Sequence, residues 1–342
     1  MRRLLAIAAA GLLLLGTTLP ASAQRRTRLT VYTALENEQL APYKAAAEKA
    51  LKNVEITWVR DSTGVITARL IAERANPRAD AIWGLSVISL IQLEQMGLLE
   101  PYTPKDGEKL RPTFRSSQSP MTWTGMNAFA SAICFNTVVA RQRNIPAPVT
   151  WSDLLQPAFA GQVVMPHPAS SGTGFLTVAG WLAHDGADNG WKFMTALHRN
   201  IASYQHSGSA PCTNAARGEF AAGIGLDVRA VQLKNQGAPI SIIVPTDGVG
   251  YDLEGMAILK GTRRLEAAKR LADFSTSVPA NELYGRFYAL LARTDVKPSV
   301  QNYPPEFAER LINIDFEQIA RERNDILRQW SDRFSNKAAP RN

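Results

Sequence analysis

Histidine and cysteine are scarce in this chain, which removes most metal and nucleophile chemistry at the outset. Its 342 residues include four histidines and two cysteines. Neither Cys134 nor Cys212 has a histidine at ligand spacing, so no metal site and no cofactor is expected. No two tyrosines are adjacent. Fixed-period repeats and low-complexity tracts are also missing, which excludes solenoids and other arrays. Beyond residue 24 no apolar run approaches the roughly 20 residues that a spanning helix needs.

What is present begins with a leader. Arg2 and Arg3 precede an apolar run over 4–15 and the small residues Ala21-Ser22-Ala23, so residues 1–23 read as a cleavable signal peptide. No cysteine lies near the cleavage site, which argues against a lipid anchor. The remaining chain has the length of two ordinary domains. In an exported protein an even pair of cysteines permits one disulfide, here Cys134 with Cys212, although spacing does not show that they meet. The whole sequence carries a formal charge of +8. Much of the surplus sits near the ends, at Arg25, Arg26 and Arg28 and again from Arg321 to Arg341, and reads as solvated surface. It does not resemble a nucleic-acid footprint, but it helps attract a small anion.

Residues 29–33 form an apolar, β-branched first strand. In 36–51, Leu40, Tyr43, Ala47 and Leu51 recur at helical spacing. Strand 54–59 and helix 66–75 follow, then strand 80–84 and helix 87–96. This alternation predicts an α/β fold with a mostly parallel sheet flanked by helices. Further strands are expected at 128–135, 162–165, 201–204, 223–227, 240–245 and 251–259. Helices are expected to start at Thr150 and to run over 176–182, 191–197, 265–275, 280–288 and 307–330.

Two stretches share a pattern of strand, Ser/Thr/Gly turn and helix. One holds Ser62, Thr63 and Gly64; the other holds Ser170, Ser171, Gly172 and Thr173. A helix start leaves N–H groups unpaired and carries partial positive charge, so both turns suit a tetrahedral oxyanion. Taken alone, either turn is an ordinary helix cap; the repetition points to a ligand. Ligands of such sheets sit beyond the carboxyl ends of the strands, a rule that brings Tyr32, Thr33 and Trp83 to the same crevice. Singly, Tyr32 and Trp83 also read as core aromatics.

Four segments, Leu29-Thr30-Val31-Tyr32-Thr33, Trp58 to Gly64, Ala132 to Thr137 and Pro168 to Phe175, together resemble a known family. It comprises the periplasmic substrate-binding proteins of ABC importers for 2-aminoethylphosphonate, within the ferric-iron-binding-protein-like group of the type II periplasmic binding fold. The likeness runs from Leu29 to about Val296. It implies two lobes, each a sheet flanked by helices, with two interlobe crossovers and the C-terminal helices on lobe one. Lobe one takes residues 24–131 and 252–342, and lobe two takes 132–251. It further implies a periplasmic monomer that closes on its ligand and delivers it to an inner-membrane permease, with no catalysis of its own. The phosphonate falls to Ser62, Thr63, Gly64, Ser171, Gly172 and Thr173. The ammonium falls to partners among Tyr32, Thr33, Trp83, Asp227, Tyr251, Asp252 and Glu254. Glu36 is assigned to the first turn of its helix, and His206 to a surface loop.

Other readings compete. An exported phosphoester or phosphonate hydrolase would use Ser171 as nucleophile, but no base stands near it at motif spacing, and His167 is confined between Pro166 and Pro168. Ferric iron would be held by phenolates, and the iron-binding relatives carry the adjacent tyrosines that are missing here. Sugar phosphates and thiamine phosphate share the anion but need a larger cleft. A structural or adhesive role explains neither turn.

Overall fold

The computed structural model describes residues 26–340, so the leader expected at residues 1–23 lies outside the described residues. Buried Leu29 and Val31 sit on one face of β1 (Thr27–Thr33), as the two-residue period of a strand requires. Strands β1, β2 (Val54–Arg60) and β3 (Ala81–Ser86) are each followed by a helix: α1 (Asn37–Leu51), α2 (Thr63–Ala72) and α3 (Val87–Gln95). These helical crossovers lay β2, β1 and β3 side by side and parallel.

The strand that orders the rest is β4 (Trp123–Asn136), 14 residues long and buried throughout. Its first part pairs antiparallel with β9 (Tyr251–Ile258), ending at Ala130↔Tyr251. From Ser131 onward its partners are β7 (Ala222–Leu226) and β8 (Ile240–Ile243). Beyond β7 lie β5 (Val163–Pro166) and β6 (Ile201–Gln205), both in parallel pairings. The strand order is β2-β1-β3-β9-β4-β7-β5-β6, with β8 also on β4. The change of partner in β4 divides the strands into two groups, one for each lobe of a two-lobed fold. The sheet is mixed rather than mostly parallel, because every antiparallel pairing of named strands involves β4 or β9.

Lobe two adds α4 (Thr137–Arg143), α5 (Gly172–His198), α6 (Ala210–Ala216) and α7 (Asp227–Asn235); α8 (Leu265–Ser275), α9 (Val278–Tyr284) and α10 (Phe316–Phe334) complete the chain. Periodicity missed α4, α6 and α7, which are short, at seven to nine residues, and rich in polar or alanine positions. The two helices expected at 176–182 and 191–197 are one run broken at Gly186, where φ is +74°. The helix expected over 307–330 is interrupted. A short 3-10 turn (Phe307–Arg310) ends in extended chain, and Asp315 then caps α10 by accepting from Gln318 N. Helices α8 and α9 pack on lobe one, but α10 lies against both α3 and α5. The tail beyond it reaches β6, where Ala339 N donates to Tyr204 O at 2.8 Å. No helix among the described residues is long and apolar enough to cross a membrane.

Cys134 of β4 and Cys212 of α6 form a disulfide, with Cα atoms 5.1 Å apart and a sequence separation of 78. A cross-link spanning so much chain restricts the unfolded ensemble. Replacing both cysteines by alanine should lower unfolding free energy by roughly 2–5 kcal/mol. Urea unfolding monitored by circular dichroism would check this, and an unchanged midpoint would refute it.

Candidate functional site

The two Ser/Thr/Gly turns face each other across the boundary between the lobes. Ser62 precedes α2 in extended conformation. Ser171 caps α5, its hydroxyl accepting from Gly174 N at 3.2 Å. Gly64 N donates to Ser170 O at 2.9 Å, and Ser62 Oγ donates to His206 O at 3.1 Å. The approach is so close that a Cβ on Gly64 would lie 2.0 Å from Ala169 O. Two helix starts are therefore aimed at one place from opposite lobes, each with its partial positive charge.

Between them lies a cleft lined by Ser62, Thr63, Ser171, Gly172 and Thr173, joined by Ala34, Glu36, Arg60, Gly84, Ser86, Phe129, Ser207, Gly208, Leu226 and Glu254. About 40 Å³ of it is open to the centres of water-sized molecules. Five of the six residues expected to hold the anion thus meet in one space. The sixth, Gly64, spends its N–H on the opposite lobe.

The residues expected at the other end of the ligand divide sharply, and only Glu254 reaches the cleft. Tyr32 is buried, and its hydroxyl donates to Glu73 Oε2 at 2.8 Å. Thr33 Oγ1 accepts from Leu35 N at 3.1 Å and holds the chain after β1. Trp83 is a core residue: its Nε1 donates to Tyr284 Oη at 2.9 Å, and its ring lies 5.4 Å from Tyr43 and 5.5 Å from Trp58. Strand alternation turns these side chains under the helices instead of over the strand ends. Tyr251 packs its ring on Phe316 at 5.3 Å. Asp252 is buried and accepts from the Ser86 hydroxyl and from Leu253 N. Asp227, also buried, accepts from the Tyr303 hydroxyl and Val228 N.

Glu254 Oε2 accepts from Tyr288 Oη at 2.8 Å and from Asn127 Nδ2 at 3.2 Å. Burial raises its carboxyl to about 7, with Glu36 and Asp227 adding repulsion. Burial likewise raises Asp227 and Asp252 to about 7. Glu36, read from sequence as a helix-start residue, sits between two cations. Arg229 Nη2 of lobe two lies 2.6 Å away, and Arg60 Nη2 of lobe one 3.6 Å away. His206 is no loose surface residue. It pairs through Nδ1 with Ser170 Oγ at 2.9 Å and donates from Nε2 to Ala339 O at 2.9 Å. Sequence reasoning also missed Arg60, Ser86, Phe129 and Ser207. Ser86 and Ser207 carried a usable signal, since Ser86 ends β3 and caps α3, and Ser207 lies between β6 and α6. Among the described residues, no group of three or more His, Cys, Asp or Glu side chains is placed to hold a metal ion.

The raised carboxyls give a signed pH prediction. A folded-state value near 7 against an unfolded value near 4 means that the native state binds more protons between those limits. Stability therefore falls as pH rises through that window and levels off above it. Replacing Asp252 by Asn removes one such group. Relative to wild type, the variant should gain stability between pH 4 and pH 8, approaching roughly 4 kcal/mol. Thermal unfolding at the two pH values would check this, and a constant difference would refute it.

Residues 78–316 match the family model described as bacterial extracellular solute-binding protein. Over 328 residues the chain is 30% identical to an uncharacterized protein of Haemophilus influenzae, covering 93% of this chain and 94% of that one. Over 308 residues it is 27% identical to a probable ABC transporter periplasmic-binding protein of Sinorhizobium fredii, covering 85% and 82%. Among solved structures it is similar to the periplasmic binding protein AfuA from Actinobacillus pleuropneumoniae with exogenous fructose-6-phosphate bound. The TM-score is 0.84 at 29% identity, over 90% of this chain and 98% of that one. With two lobes closed on a polar cleft, the chain belongs to the bacterial extracellular solute-binding protein family and is a substrate-binding protein of the ABC-importer type.

Proposed function

We propose that the chain captures a small phosphonate bearing a cationic group, 2-aminoethylphosphonate, and delivers it to an ABC permease. The observation carrying this reading is the lining of one cleft. Hydroxyls of two facing helix starts line it together with Glu254, a carboxylate that has no cationic partner among the described residues. Ser62, Thr63, Ser171 and Thr173 supply donors to the phosphonate, and neutral hydroxyls do so without burying a second ion. Gly64 and Gly172 let the turns approach. Glu36 also lines the cleft, but Arg229 and Arg60 already neutralise it, so the ammonium goes to Glu254. An ammonium there relieves the crowding of Glu254 by Glu36. Asp227, Tyr251, Asp252, Tyr32, Thr33 and Trp83 serve as support behind the lining.

In this reading the lobes are residues 24–131 with 252–342, and 132–251, a division one residue beyond the change of partners in β4. Residues 1–23 are the leader, and the protein acts as a periplasmic monomer. Capture proceeds by lobe closure, with no covalent step. A second reading, an organic phosphate such as a sugar phosphate, is favoured by the likeness to AfuA and shares the anion site. Ferric iron is disfavoured, because no tyrosine is among the residues lining the cleft.

Thermal unfolding of ligand-free protein separates these readings. At about 1,000 times the dissociation constant, a ligand stabilises the native state by roughly 4 kcal/mol, a shift of several degrees at this chain length. The expected result is a rise with 2-aminoethylphosphonate and a smaller one with ethylphosphonate or phosphate. A rise with fructose-6-phosphate alone would favour the second reading, and one with ferric citrate alone would overturn both. Closure has its own test. Gly64→Ala should weaken ligand binding at least tenfold while the ligand-free melting temperature stays within a few degrees, since the three atoms nearest its Cβ all lie across the cleft. Unchanged affinity by calorimetry would count against the closed arrangement as the binding form.

A further inference from the structure

Glu254 enters the cleft from β9, but the groups that hold it come from distant parts of the chain. Tyr288 Oη, beyond α9, donates to its Oε2 at 2.8 Å, and Asn127 Nδ2 of β4 donates to the same oxygen at 3.2 Å. Behind them Gln39 Nε2 of α1 donates to Tyr288 Oη at 2.8 Å. Because that oxygen already accepts from Gln39, the phenol's single proton is directed to Glu254. Both bonds fall on Oε2, and Oε1 takes none from the protein among the described residues. Tyr288 and Gln39 are each 1% exposed, and neither lines the cleft.

The surroundings otherwise oppose a charge on Glu254. Glu36 from the start of α1 and Asp227 from α7 repel it. The phenols of Tyr43 on α1 and Tyr284 on α9 also face it. The nearby cations Arg60 and Arg229 are engaged with Glu36. Donors to the ionised form are therefore what let a carboxylate persist here.

We propose that Tyr288, oriented by Gln39, is a specificity-determining positioning residue. It occupies Oε2 of the Glu254 carboxylate, leaves Oε1 for the ligand's cationic group, and so sets the preference for cationic over uncharged phosphonates. This rests on the reading of Glu254 as the ammonium acceptor. A phenylalanine at position 288 keeps the ring in the core and removes the donor to Glu254 together with the acceptor of Gln39.

Calorimetric titration of ligand-free protein with 2-aminoethylphosphonate and with ethylphosphonate, between pH 6 and 8.5, tests it. Each affinity is expressed per phosphonate dianion using that ligand's own second pKa, because the ammonium lowers this pKa in 2-aminoethylphosphonate relative to ethylphosphonate. Tyr288→Phe should lose about tenfold in the ratio of the two affinities, with ethylphosphonate affinity unchanged. The pH at which the preference is half developed should move upward, because the charged form has lost a donor. Glu254→Gln should abolish the preference at every pH. If the wild type shows the preference and Glu254→Gln abolishes it, but Tyr288→Phe retains the full ratio and pH profile, the inference is overturned and the reading of Glu254 stands. Equal losses for both ligands in Tyr288→Phe would mark a purely structural role and also overturn it. A wild type without any preference would overturn the reading of Glu254 and, with it, this inference.

Discussion

Every group in the cleft is placed relative to β4, because this strand is hydrogen-bonded in one lobe up to Ala130 and in the other from Ser131 onward. A strand buried on both faces along its whole length cannot slip by one residue without turning its side chains to the wrong face. Phe129 lines the cleft from its lobe-one end, while Leu226, paired with Ser131, lines it from β7. The second strand at the crossing, β9, brings Glu254 to the same place through its pairing with Asn127 and Ser86. The cleft is thus the seam where two sheets share a strand, and its depth follows from the burial of that seam.

Burial at the seam also explains the electrostatics. Asp227, Asp252 and Glu254 lie around the two crossing strands, each removed from water and each supplied with donors from the neighbouring chain. Desolvation disfavours their charged forms more than those donors restore them. Glu36 avoids this fate through the two guanidiniums beside it. Because Arg229 belongs to lobe two and Glu36 to lobe one, this pair also ties the closed lobes together. It adds to the backbone bond from Gly64 to Ser170 and the hydroxyl bond from Ser62 to His206.

The far end of the chain reaches the same region. Tyr288 supports Glu254, Tyr303 supports Asp227, and Ala339 receives the Nε2 hydrogen of His206. The C-terminal third therefore does more than cover lobe one. It fixes the protonation-sensitive groups of the seam and, through His206 and Ser170, the turn at the start of α5.

The sequence by itself determined the α/β alternation and most of the strands, because burial imposes a period on apolar residues that needs no knowledge of partners. It also determined the two Ser/Thr/Gly turns, since a helix start after a strand has a local chemistry that any reader of the chain can see. Tertiary structure alone decided which polar groups share the cleft. Tyr32 and Trp83 sit at strand ends in sequence, yet the sheet turns them into the core. Glu36 is the helix-start residue its sequence suggests and caps α1, but its pairing with Arg229, 193 positions away, is a tertiary matter. The strands at 123–127 and the support of Glu254 by Tyr288 depend on pairing between segments far apart in the chain, and such pairing leaves no periodic mark in either segment.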